Sequence, residues 1–162
     1  MIEEEMFLVS AHDDIPVEPD AQGNARIRAE DLGRVPLVMP SLPHSARRAA
    51  DTFAHTNGFD LDVIVELNSL SQIIELVSRA SACTILPHAA VANALAGRGL
   101  ALTRIVAPTF MRTAYLARKQ TRTASLASMK VEQTVLNIVQ EMIERYDLHA
   151  TCLGHAPGQH DG

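Results

Sequence analysis

Residues 68–91 read NSLSQIIELVSRASACTILPHAAV. Leu70, Ile73, Ile74 and Val77 recur at the spacing of one helical face. Asn68 or Ser69 stands before that face as an N-cap. CTILP (83–87) is a short apolar run of strand length. AAVANALAG (89–97) then predicts an Ala-rich helix ended by Gly97. The stretch therefore predicts helix, strand and helix, with no catalytic group in it.

Working outward, the same alternation continues. Upstream, LDVIVEL (61–67) is a β-branched strand. Before it, Ala46, Ala49, Ala50 and Phe53 mark a helix, with Ser41 as its cap, Pro43 in its first turn and Gly58 as its stop. PLVMP (36–40) is a buried strand and AEDLG (29–33) one helical turn. Residues 11–24 form a polar loop, and MFLVS (6–10) a strand. Downstream, LALTRIV (100–106) and RTAYLAR (112–118) read as strands. Val135, Ile138, Val139, Met142 and Ile143 mark a longer helix over 125–146, and the chain from Asp147 reads as a frayed tail. Strand–helix alternation from 36 to 106 predicts an α/β domain with a parallel sheet and right-handed crossovers.

In such a sheet, ligands sit beyond the carboxyl ends of the strands. Three strand ends run directly into helix starts: Pro40-Ser41, Leu67-Asn68-Ser69 and Leu86-Pro87-His88. Helix N-termini carry free N–H groups and partial positive charge, which suits a carboxylate, sulfate or phosphate. The expectation is one wall of a small-anion cleft. Against it, Ser and Asn at such places are first of all helix caps.

Composition narrows the function classes. The chain has 162 residues, 47% of them hydrophobic, so it is one domain or one and a fraction with a sizeable core. A formal net charge of -5 and only 4% aromatic residues argue against general nucleic-acid binding and against an aromatic sugar site. Acids crowd residues 1–20, and the basic residues Arg98, Arg104, Arg112, Arg118, Lys119, Arg122 and Lys130 crowd 98–130. These read as two solvated faces that meet one another. Two cysteines, Cys83 and Cys152, make no disulfide framework and suit a cytoplasmic protein. The acidic N-terminus is no signal peptide, and the apolar region 85–107 is broken by His88, Asn93, Arg98 and Arg104, so no membrane span is expected.

Chemistry-bearing motifs are sparse. No Gly-x-Gly-x-x-Gly, Walker loop or Gly-x-Ser-x-Gly is present, so no cofactor and no enzyme are expected. Ser41, His44 and Ser45 lie close in sequence, but no acid orients His44, which reads as a surface residue. His149, Cys152, His155 and His160 lack a rigid frame for a metal, and none is expected. Cys83 reads as a small buried hydrophobe.

VPLVMPSLPHSARRAADTFAHTNG, VIVELNSLSQIIELV and TILPHAAV together resemble the effector-binding domain of LysR-type transcriptional regulators, over about Glu4–Ile143. The resemblance implies a periplasmic-binding-protein-like fold of type 2, mainly its second lobe. That lobe is expected over 11–111, crossing strands at 6–10 and 112–118, a return helix to the first lobe at 125–146, and a flexible tail at 147–162. It implies ligand contacts at Ser41, Asn68, Ser69, Pro87 and His88, to a small organic anion held between two lobes. It also implies that most of the first lobe and the winged helix-turn-helix that would contact DNA are absent from this chain. Self-association is expected through the apolar face of 135–143. Ala80 and Ala82 replace a Gly-x-Gly common in the family. A solute-binding protein of the same fold, and a truncated product without function, are the alternatives.

Overall fold

The computed structural model describes residues 1–11, 14–79, 82–117 and 125–153. The chain divides into two compact units, one of Glu5–Arg112 and one of Met1–Glu4 with the chain from Thr113 onward.

The larger unit is built on a larger sheet and a two-stranded one, joined by a single bridge. Its strands are β1 (Ile2–Ser10, entering from Glu5), β2 (Glu18–Pro19), β3 (Ala25–Arg28), β4 (Leu37–Pro40), β5 (Val63–Leu67), β6 (Thr84–Pro87) and β7 (Ala101–Val106). β4 pairs parallel with β5 over Val38–Val65 to Pro40–Leu67, and β3 pairs parallel with β7. A parallel bridge between Leu37 and Cys83 joins β4 to the start of β6. β1 pairs antiparallel with both β6 and β7, Leu8 lying opposite Ile85 on one side and Thr103 on the other. The two neighbours of β1 therefore run the same way, and the sheet is mixed. The strands joined through helices run parallel, as the alternation predicts, and the strand expected at 6–10 lies antiparallel between two of them. Strand–helix alternation reports only on strands joined through helices, and β1 enters from elsewhere in the chain.

Alternating residues of these strands face two cores, as the two-residue period of a strand requires. Leu8, Leu37, Met39 and Ile85 pack on one side with Ile27, Leu32, Ile105 and Phe110. Val9, Val38 and Leu86 pack on the other with Ile73, Val77 and Val91. Helix α1 (Ser45–Thr56) covers the first side with Ala46, Ala50 and Ala54, whose small side chains let it lie close. Its Phe53 ring stacks on Phe110 with centroids 4.3 Å apart. Helices α2 (Leu70–Arg79) and α3 (His88–Arg98) cover the second side. A 3-10 turn over Ala29–Arg34 closes the first core with Ala29 and Leu32, and a Cβ on its Gly33 would lie 2.8 Å from the Asp60 carbonyl oxygen.

Ion pairs finish the surface. Glu5, almost fully buried, accepts from the Arg104 guanidinium at 2.5 and 3.1 Å. The acidic start of the chain and its basic later part thus meet at this pair. The Glu5 hydrogen bonds hold the Arg104 guanidinium above its usual range. Glu75 of α2 binds both Arg79 and Arg98, tying α2 to α3.

In the smaller unit, β9 (Ala150–Cys152) pairs antiparallel with Ile2–Glu4 of β1. The chain after Asp147, expected as a frayed tail, includes this strand; residues 154–162 lie outside the described residues. Helix α4 (Leu126–Arg145) is capped by Ser125, whose Oγ accepts from the Ser128 N–H at 3.1 Å. None of its residues is fully buried.

Several local boundaries differ from the sequence reading. His44, not Ser41, caps α1. The chain first makes a turn in which the Ser41 carbonyl accepts from the His44 N–H, which leaves Pro43 ahead of the helix. α3 runs through Gly97 and ends at Gly99, whose φ of 63° is the left-handed cap conformation that glycine adopts without strain. The segment predicted as a strand over 112–118 is β8 (Met111–Ala114), and Arg118 lies outside the described residues. The strand predicted at 6–10 begins at Ile2, and the division between units falls within it, between Glu4 and Glu5. Ala82 is buried, and Ala80 lies outside the described residues.

Candidate functional site

The ends of β4, β5 and β6 line one cavity of about 120 Å³ in the larger unit. Its apolar wall comes from Pro40, Ala46, Leu67, Leu70, Ile73, Leu86 and Ala90. Its polar lining is Asn68, His44 and Arg112, with Pro87 at the entrance to α3. Each arrives by a short local route. β5 ends at Leu67 and hands the chain to Asn68. β6 ends at Pro87, which precedes α3 with extended backbone and no N–H to leave unsatisfied. β8 delivers Arg112 as its second residue.

The five residues singled out from the sequence divide. Asn68 and Pro87 line the cavity; Ser41, Ser69 and His88 do not. Ser69 behaves as a helix start: its carbonyl accepts from the Ile73 N–H and its hydroxyl lies 2.9 Å from that of Ser71. His88 is half-buried at the first position of α3, and its ring meets Phe7 edge-on. Two residues that carry the cavity's polarity were read otherwise. Arg112 figured as one of a basic run and as the first residue of the strand expected at 112–118, and His44 as a surface residue. The signal for Arg112 is its place in the strand that follows β7, since a sheet domain returns that strand toward its other strand ends.

His44 has a defined local role. Its Nδ1 accepts from the Ala46 N–H at 3.2 Å, satisfying one of the free donors at the start of α1. An accepting Nδ1 places the neutral ring's proton on Nε2. Among the described residues, the lining includes no carboxylate. Its charged group is the Arg112 guanidinium, beside an amide, an imidazole and an apolar wall. That inventory suits a small anion with an apolar body.

A second depression of about 410 Å³ lies between α1 and the region of β5, lined by Arg47, Asp51, His55, Asp60 and Glu66. Burial disfavours the Arg47 charge, but hydrogen bonds that it donates to Asp51 at 2.9 Å and Glu66 at 2.5 Å hold its proton above the usual range. Arg47 closes this depression as an ion-pair bridge. Among the described residues, no cluster of His, Cys, Asp and Glu could hold a metal, and no helix is long and apolar enough to cross a membrane. Of the tail residues weighed as metal ligands, His155 and His160 lie outside the described residues.

Residues 1–137 match the model of the LysR substrate binding domain. The chain belongs to that family. The fold agrees. The CcmR regulatory domain of Synechocystis PCC6803, solved in complex with 2-PG, superposes with a TM-score of 0.70 at 16% identity, covering 86% of this chain and 65% of that one. The effector binding domain of QuiR, in complex with shikimate, gives 0.64 at 19% identity over 86% and 63%. Corynebacterium glutamicum OxyR, C206S mutant with H2O2 bound, gives 0.63 at 17% identity over 90% and 45%. The chain spans less than two thirds of the length of these proteins. The LysR substrate-binding domain is a part of transcriptional regulators, with the type 2 periplasmic-binding-protein-like fold.

Proposed function

We propose that the Glu5–Arg112 unit senses a small organic anion in the cavity at the ends of β4, β5 and β6, and that this binding modulates transcription in a cytoplasmic regulator. The observation that carries the reading is the guanidinium of Arg112 set with Asn68 and His44 beside an apolar wall in the cavity lining. A guanidinium binds a carboxylate through paired hydrogen bonds, and the apolar wall takes the carbon skeleton. That two related domains are solved with 2-PG and shikimate supports a small polar effector. The role is binding, with no bond made or broken. A nucleophile–base pair would be needed for chemistry, and His44 instead spends its Nδ1 lone pair on a backbone N–H. DNA contact would belong to a helix-turn-helix domain, which the described residues do not include.

The test is calorimetric titration of the 162-residue chain with shikimate and other small carboxylates. Replacing Arg112 by Ala should weaken binding at least tenfold, about 1.4 kcal/mol or more. Ser41→Ala and Ser69→Ala, outside the cavity lining, should bind within about twofold of the parent protein. An Arg112→Ala protein that binds as well as its parent would place the site elsewhere.

A further inference from the structure

Helix α4 has two apolar stripes, and its own unit uses one of them. Leu136, Val139 and Ile143 are half-buried, and Leu136 shares the lining of one cavity with Cys152 of β9. Val131, Val135, Ile138 and Met142 form the other stripe, about 100° around the helix, and all four are exposed. Tyr146, at the C-cap, extends that stripe and is exposed as well. The sequence outside the described residues offers no cover. Residues 12–13, 80–81, 118–124 and 154–162 contain no Val, Leu, Ile, Met or Phe. We propose that the exposed stripe is the docking site of a second copy of the chain, whose α4 lies along it in antiparallel orientation. The proposal is independent of the anion-binding reading above.

Size and charge both select a copy of the same helix as the occupant. With a two-fold axis between Leu136 and Asn137, Val135 meets the partner's Ile138, Val131 the partner's Met142, and Ala127 the partner's Tyr146. Each contact sets a smaller side chain against a larger one, as ridges packed into grooves require. Charge then sets the direction. Lys130 and Glu141 are both exposed and lie on the same flank of the stripe, about three turns apart. Antiparallel helices bring Lys130 beside the partner's Glu141, and the symmetry makes that contact twice. Parallel helices would set Lys130 beside the partner's Lys130 and Glu141 beside the partner's Glu141, both repulsive. The helix dipoles also attract when antiparallel. Size sets the strength. A helix of 20 residues is about 30 Å long, and a pair of them buries less than the roughly 1,200 Å² at which stable interfaces begin. The dimer is therefore reversible, with a dissociation constant in the micromolar range.

The test is sedimentation velocity of the 162-residue chain between about 10 µM and about 1 mM. The parent chain should pass from monomer to dimer and no further, because a two-fold contact closes on itself. Ile138→Glu places a charge at the centre of the stripe and should weaken association at least tenfold, which is about 1.4 kcal/mol. Lys130→Glu and Glu141→Lys should each weaken it about three- to tenfold, and the double variant should return to within about twofold of the parent. Both of these side chains are exposed, so the charge swap decides the matter if Ile138→Glu does not fold. A chain that stays monomeric over the whole range overturns the proposal and leaves the stripe to a different partner. Association that Ile138→Glu retains overturns it too, because the contact then lies elsewhere. A double variant no better than the single ones overturns the antiparallel pairing.

Discussion

Helices α2 and α4 carry the same kind of sequence signal and meet opposite fates. In α2, ten residues long, Ile73, Ile74 and Val77 are buried against the sheet of the larger unit. In α4, twenty residues long, none is. Its Leu136, Val139 and Ile143 are half-buried, while Val131, Val135, Ile138 and Met142, spaced four, three and four apart, stay exposed. Amphipathic periodicity thus reports that a helix has an apolar face. It does not report that the covering surface is present in the same compact unit. Helical stability in proteins comes chiefly from such covering, so the larger unit should hold most of the chain's resistance to unfolding.

Truncation of matched isoleucines tests this contrast most strongly. Ile85→Ala, fully buried in the core of the larger unit, should cost about 2–5 kcal/mol. Ile138→Ala on α4, half-exposed, should fall within about 0.5 kcal/mol. Urea unfolding followed by circular dichroism reads both, and equal costs would break the comparison. Gly33→Ala comes next. The added Cβ would press on the Asp60 carbonyl oxygen of the larger unit, and about 1–3 kcal/mol should be lost.

The two cysteines sharpen the same contrast by chemistry. Burial in the larger unit pushes the Cys83 thiol from 9.0 to about 11, whereas Cys152 on β9 is half-buried. Native protein treated with iodoacetamide at pH 8 should be alkylated at Cys152 and spared at Cys83, as mass spectrometry of the digest would show. The raised thiol also fixes a sign. The folded state keeps a proton that the unfolded chain releases, so this contribution is complete below pH 9 and lost as pH rises toward 11. Cys83→Ala should be less stable near neutrality but lose less stability over that alkaline range, measured by chemical denaturation. The smallest effect is expected at the α4 cap. Ser125→Ala should cost about 1 kcal/mol of local helix stability and leave the melting of the larger unit unchanged, resolved by amide hydrogen exchange.

What the sequence disclosed follows from the range of each signal. Local periodicity placed α2, the start of α4 at Ser125 and strands β4, β5, β6 and β7 within a few residues, but neither β2, in the expected loop over 11–24, nor β3. It could not choose between glycines: Gly97 and Gly99 both suit a helix end, and only the left-handed backbone at Gly99 decides. Nor could it choose the cap of α1. Ser41 is the stronger statistical candidate, but the turn it makes with His44 moves the helix start onward and gives the capping role to an imidazole. At the cavity, Asn68 and Pro87 were legible because strand ends and helix starts are local features. Arg112 was not, because its place depends on how β8 returns to the sheet. The strand at 6–10 was legible, but its pairing between β6 and β7 depends on the same long-range contacts.

That inserted strand has a consequence for the order of assembly. Leu8 has Ile85 on one side and Thr103 on the other, so β1 sits between two strands that are both synthesised after it. As the chain leaves the ribosome, these apolar residues wait without partners until β6 and β7 have been made. The sheet around β1 can be completed only after β7 has been made. Folding therefore waits on contacts between distant parts of the chain, which are slow to form.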